Sequence, residues 1–128
     1  MISISINNAE RTQIIIDEFL YELPFQVDKV IQLSELLIFL CNPGEVNAPS
    51  LFCLTEKSNN ILWNMKNVSS ANAEIPEHKK VEDFISNNHY QDYINKFKNR
   101  KLLSVYVGEF RKIIDANDGS VISSMEIR

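Results

Sequence analysis

The chain of 128 residues has the size of one domain, residues 1–128, and can bury about two-thirds of its unfolded surface without a disulfide or metal staple. Its composition, 45% hydrophobic and 23% charged with only three glycines, is that of an ordinary globular protein and argues against glycine-rich phosphate loops and long flexible linkers. The net charge of −4 is uneven: residues 1–60 carry eight acids against three bases, and residues 61–128 nine acids against ten bases, an arrangement that suits a basic partner better than a phosphate backbone.

In chain order, Ile2, Ile4 and Ile6 alternate with Ser3 and Ser5, which predicts a half-buried strand. Asn7-Asn8-Ala9 is turn chemistry, and the β-branched run over residues 12–19 is expected to return as a second strand. Helix is the rival reading for residues 17–20, because Glu and Leu are good helix formers. Pro24 interrupts the pattern and forces Leu23 to be extended. Two strand candidates follow, one carrying Val27, Val30 and Ile31 and one over residues 36–41, joined by a tight connection at Ser34-Glu35. The second is apolar at every position and is expected to be buried on both faces.

Asn42-Pro43-Gly44 closes that strand. Residues 51–54 and 60–65 then form a hairpin. Residues 66–80 lack an apolar period and read as a surface loop. Val81, Phe84 and Ile85, then Tyr90, Tyr93, Ile94 and Phe97, fit helical spacing, with an irregular strand as the alternative for the latter group. Residues 102–107 are a strand, with Gly108 allowing a bend or bulge after it. Residues 110–115 and 120–127 flank Asn117-Asp118-Gly119, the strongest hairpin signal in the chain. The expectation is eight to ten short strands with one or two short helices: a mainly β protein, α+β being possible, built as an antiparallel meander of repeated hairpins in a partial propeller-like sheet or sandwich.

Few residues carry a chemical signature. His78 and His89 are eleven apart without further ligands at zinc spacing, so no metal is expected. Serines are plentiful, but none lies in a nucleophile elbow. Cys41 and Cys53 both lie in apolar runs and read as buried thiols. No cofactor and no enzymatic activity are expected. The opening residues alternate and lack the basic start and apolar block of a secretory leader. The apolar stretch over residues 36–41 is too short to span a membrane. A cytoplasmic location and no membrane contact follow as expectations.

Binding is the remaining reading, to a protein partner foremost, with a nucleic-acid-binding β-sheet or a small-ligand-binding domain as the alternatives. Asp17, Glu18, Glu22 and Asp28, with Glu74, Glu77, Glu82 and Asp83 around the irregular region, are the candidate contacts for a basic partner; Tyr90 and Tyr93 are candidate aromatic anchors. Direct nucleic-acid binding would instead use Lys96, Lys98, Arg100 and Lys101 with nearby aromatics, and the acidic balance disfavours it. Trp63 and Tyr21 are weighed both as core anchors and as binding residues.

Two resemblances add to this. Residues 55–63, and residues 115–122 with Gly119 in the turn, resemble the propeller-blade phrase of a strand, an Asp-x-x-x-Gly turn and Ile-Leu-Trp. In the first copy Asn59 holds the glycine position; in the second Ser123 stands where the Trp would be. That likeness implies structural turns, and the quinone-binding residues of the superfamily cannot be matched. The order Leu23-Pro24-Phe25, aliphatic strands, a hairpin ending at Trp63 and a terminal hairpin at residues 115–119 resembles small single-domain bacterial proteins. By analogy it resembles the immunity proteins of toxin–immunity pairs. The resemblance implies a protein-binding module that masks a cognate basic toxin, for which a nuclease is a suitable partner.

Overall fold

The structure, a computed structural model, describes residues 4–74 and 101–127. These residues form eleven strands, and every sheet pairing is antiparallel between neighbours in the chain. Strands β1 (Ile4–Ile6), β2 (Gln13–Ile16) and β3 (Phe19–Glu22) make the first sheet. Strands β4 (Gln26–Leu33), β5 (Leu36–Asn42), β6 (Pro49–Thr55) and β7 (Trp63–Lys66) make the second. Strands β8 (Val68–Glu74), β9 (Leu102–Val107), β10 (Phe110–Asp115) and β11 (Val121–Glu126) make the third. The fold is thus three consecutive meanders, as the hairpin signals predict.

Side-chain alternation decides how the meanders stack. Successive strand residues point to opposite faces, and β5 and β6 are apolar on both. Leu36, Ile38 and Leu40 of β5, with Leu51 and Cys53 of β6, pack against Val68, Ala71, Leu103, Val105 and Ile114 of the third sheet. Leu37, Phe39 and Cys41, with Phe52 and Leu54, point the other way and pack against Ile14, Ile16 and Tyr21 of the first sheet. The second sheet is therefore the middle layer; the strand expected to be buried on both faces, residues 36–41, lies at its centre beside β6, which is buried on both faces as well. Cys41 and Cys53 are both free and lie on opposite faces of that layer, so no disulfide joins them.

The repeated hairpins meet in space. Trp63 on β7 donates its indole N–H to the carbonyl of Ala116 at 2.8 Å, in the turn after β10. Its ring covers Gly119, where an added Cβ would lie 2.9 Å from the ring and where φ is +77°. Trp63 is therefore an anchor between the second and third sheets, holding the edge strand of one against the turn of the other.

Several expectations are corrected. Residues 12–19 are not one strand and residues 17–20 are not helical: Ile16 pairs with Phe19 across a two-residue turn at Asp17-Glu18, both at positive φ. Left-handed turns of this kind usually advertise themselves by Asn or Gly, which this one lacks. The surface loop expected over residues 66–80 is overturned in its first part, because Val68–Glu74 is a strand paired with β9. Its small Ser, Asn and Ala side chains carry no apolar period, yet Val68 and Ala71 are buried on the inward face. The strand starts immediately after Asn67, whose positive φ switches the chain from the second sheet to the third. Gly108 begins a two-residue turn, with Val107 opposite Phe110. The strand count exceeds the eight to ten expected, because of the Asp17-Glu18 turn and β8. Among the described residues there is no helix. The helical spacing over residues 81–97 lies outside them.

Candidate functional site

The candidate site forms where the ends of three strand connections converge. The Asp17-Glu18 turn ends the β2–β3 hairpin, the Ser34-Glu35 turn joins β4 to β5, and Glu56 and Lys57 follow β6. Backbone pairing brings the last two together: Leu36 opposes Thr55, and the Glu56 N–H donates to the Glu35 carbonyl at 3.0 Å. A cavity of about 290 Å³ opens here. Ile16 and Leu37 supply its apolar walls, and Asp17, Gln32, Glu56 and Lys57 its polar ones, with Tyr21 among the lining residues.

Tyr21 is the buried fixture of this end, at 1% exposure. Its ring packs 5.6 Å from Phe39 and 4.8 Å from Phe19, centroid to centroid. Its hydroxyl accepts from the Lys57 N–H at 2.6 Å and donates to the Thr55 carbonyl at 3.3 Å. The phenol thus joins the first sheet to the end of β6 and uses its hydrogen-bonding capacity in doing so. Burial raises its pKa above the ordinary 10.0; the Lys57 N–H opposes this, and the negative fields of Glu56 and Asp17 add to it. Glu56 is oriented by Gln32, whose amide donates to Oε1 at 3.1 Å and to the Ser34 carbonyl at 3.2 Å. Nearby, Lys101 Nζ meets Glu35 Oε1 at 2.6 Å, and that contact, as the leading cause, holds the Glu35 carboxyl below its ordinary range.

The structure therefore divides the predicted acidic face. Asp17 and Glu18 sit at the turn beside the cavity. Glu22 stands at the other end of β3, opposite Gln13, about 10 Å away at the usual strand rise. There the Glu22 N–H donates to Asn59 Oδ1 at 2.9 Å and Asn59 Nδ2 donates to the Leu20 carbonyl at 3.1 Å, docking the β6–β7 connection on the edge of β3. Asp28 occupies a bulge of β4 and lines a second cleft, about 350 Å³, beside the exposed Ile4 and Ile6 of β1. Glu74 ends β8, opposite Leu102. Glu77, Glu82, Asp83, Tyr90 and Tyr93 lie outside the described residues, as do Lys96, Lys98 and Arg100 of the basic run. Lys101, the described member of that run, is engaged by Glu35.

Gln32, Glu35, Glu56 and Lys57 are site residues that sequence reasoning did not single out. One signal existed for the two glutamates: each immediately follows or interrupts an apolar run, where strands end and connections gather. Among the described residues no group of three His, Cys, Asp or Glu side chains could hold a metal ion. No helix among them is long and apolar enough to cross a membrane. No family model, curated protein or solved structure matches the chain.

Proposed function

We propose that the protein is a protein-binding module, most concretely a bacterial immunity protein that neutralises a cognate basic toxin in the cytoplasm by steric and electrostatic masking. The observation that carries this reading is the gathering of Asp17, Glu18, Glu35 and Glu56 at the ends of three strand connections. The acids sit on turns held by a rigid stacked core, which is how recognition residues are commonly presented. Against the ammoniums of Lys101, paired with Glu35, and Lys57, these four carboxylates leave an excess of negative charge complementary to a basic cleft, and such fields speed association and exclude wrong partners. A nuclease toxin is a suitable partner, since a site that binds phosphates must itself be basic. The role is non-catalytic: it needs one sufficiently large surface, about 800 Å² on each partner, and no reacting group.

The test is growth rescue. The product of the neighbouring gene is expressed in a sensitive bacterial host with and without this protein. The wild type is expected to restore growth and to form a one-to-one complex with that product. The double variant Glu18→Lys, Glu56→Lys is expected to associate at least about tenfold more slowly at low ionic strength, with the difference shrinking as salt screens the charges. A folded double variant that associates at the wild-type rate would overturn the electrostatic mechanism. A neighbouring product that is neither toxic nor bound would overturn the immunity role.

A further inference from the structure

We propose that the cavity beside Tyr21 is a socket for a single organic cation on an aliphatic stem, an alkylammonium or alkylguanidinium group such as a lysine or arginine side chain carries. The inference deepens the proposed function and rests on its premise that this acidic end is a binding face.

Size sets the class of occupant. Pockets for drug-sized ligands run from about 300 to 1,000 Å³, so a cavity of about 290 Å³ lies at the lower limit and suits one long side chain or one small amine. The lining sets its chemistry. Ile16 and Leu37 offer apolar wall to a methylene stem, while Asp17 and Glu56 offer carboxylates to a cationic head. Long cationic side chains bind in just this divided manner, stem against apolar surface and head against polar groups. A guanidinium adds the option of paired hydrogen bonds to one carboxylate.

The Tyr21 hydroxyl is held by Lys57 and Thr55, so it shapes the socket and leaves recognition of the head to the carboxylates. Gln32 holds Glu56 from the side, which reduces the freedom that the carboxylate would lose on binding. The pKa of Tyr21 is raised first by burial, and the negative fields of Glu56 and Asp17 push it the same way. Lys57 also lines the cavity, so the lining carries two carboxylates against one ammonium. Its ammonium competes with an incoming cation, and its removal should therefore improve binding.

The experiment is an NMR titration of the full chain with n-butylguanidinium and n-butylammonium, and with n-butanol as the uncharged control. Saturable shifts are expected at Asp17, Gln32, Leu37 and Lys57 with the two cations, and none with butanol. Glu56→Gln keeps the Gln32 hydrogen bond available and should weaken cation binding at least fivefold. Lys57→Ala should strengthen it. Unchanged amide dispersion elsewhere shows that each variant is folded.

Two further arms identify the source of the cation. If the blocked tripeptides Gly-Arg-Gly and Gly-Lys-Gly bind as well as the free cations, the socket takes a protein side chain. If the free cations bind and the peptides do not, it takes a small amine. The absence of saturable shifts, equal binding of butanol, or an unchanged affinity in folded Glu56→Gln would overturn the proposal. Failure here with growth rescue intact would leave the immunity reading standing on another surface. A positive titration with failed rescue would leave the socket and remove the toxin partner.

Discussion

The two faces of the β5–β6 pair are made by the same strands and are chemically unlike. On the face toward the third sheet the buried contacts are aliphatic or small, Ile38, Leu51 and Cys53 against Ala71, Leu103, Val105 and Ile114, with Trp63 packed at the margin. On the face toward the first sheet an aromatic layer joins the aliphatic residues Ile14, Ile16, Leu37 and Leu54: Phe39 and Phe19 meet Tyr21, and Phe52 meets Phe25. Small and branched side chains let two sheets interdigitate closely, whereas rings meet at tilted angles and carry a polar atom where one is tyrosine. The acidic cavity opens beside that aromatic layer, next to its one phenol. One face of the middle sheet thus serves cohesion alone, and the margin of the other carries the cavity proposed for recognition.

The comparison can be sharpened most strongly through the two thiols, one in each layer. Burial pushes Cys41 up to about 12, with Asp28 adding to the effect, and Cys53 up to about 11, with Lys101 opposing it slightly. Both stay protonated and covered in the folded protein. Their reaction with a disulfide reagent should be slower than in the denatured chain by on the order of a thousandfold or more, limited by opening of the fold. If the aromatic layer opens first, Cys41 will react ahead of Cys53, and mass spectrometry of the singly labelled protein reads the order. Because both folded thiols titrate above the unfolded value near 9.0, their contribution to stability is complete below that pH and is lost as pH rises toward 11 to 12. Denaturant midpoints across that range should fall accordingly.

Truncation of neighbouring residues on opposite faces breaks the comparison directly. Phe39 and Ile38 are both fully buried, one on each side. Phe39→Ala should cost about 3–5 kcal/mol and Ile38→Ala about 2–5 kcal/mol, measured by urea unfolding. Only the Phe39 variant should also disturb cation binding at the Tyr21 cavity, because only Phe39 packs against Tyr21.

A smaller effect tests the clasp on the aliphatic side. Gly119→Ala puts a methyl group into the Trp63 ring at a backbone angle that L-residues disfavour, and the ring must move away from the Ala116 carbonyl. The expected loss is about 2–3 kcal/mol, combining the left-handed penalty with the indole hydrogen bond. A shift in the emission of Trp63, the single tryptophan, would report the displacement.

The smallest effect belongs to the surface ion pair between Lys101 and Glu35, which solvent screens. Lys101→Ala should leave the melting temperature almost unchanged and let the Glu35 carboxyl rise toward 4.5, as read by NMR titration. Since the folded value is depressed, the pair contributes above the ordinary carboxylate range and is lost as pH falls through the folded value. The variant should therefore lose part of its acid-side pH dependence.

Most strands were legible because their side chains alternate or form solid apolar runs. Residues 36–41 announced burial on both faces, and Asp118-Gly119 announced a hairpin that the structure contains. β8 was illegible because Val68-Ser-Ser-Ala-Asn-Ala-Glu74 has almost no apolar contrast; its place comes from pairing with β9, nearly thirty residues downstream. The Asp17-Glu18 turn was hidden for a different reason. Asp17 tolerates positive φ, but Glu18 does not favour it and stands where such turns usually carry Gly, so the register of the flanking strands imposes it. The acidic candidates were recognised as a charge excess in the first half of the chain, yet composition places no two of them together.

By itself the sequence determined that this is a meander of antiparallel hairpins with residues 36–41 buried on both faces, since those properties depend on local period and turn chemistry. Only the tertiary structure decided that the meanders stack as three layers, that Trp63 closes on Gly119, and that Asp17 and Glu56 share a cavity while Glu22 and Asp28 stand elsewhere. A period of two states which residues share a face of a strand. It carries no record of which sheet that face will meet, and the site exists only where those meetings bring strand ends together.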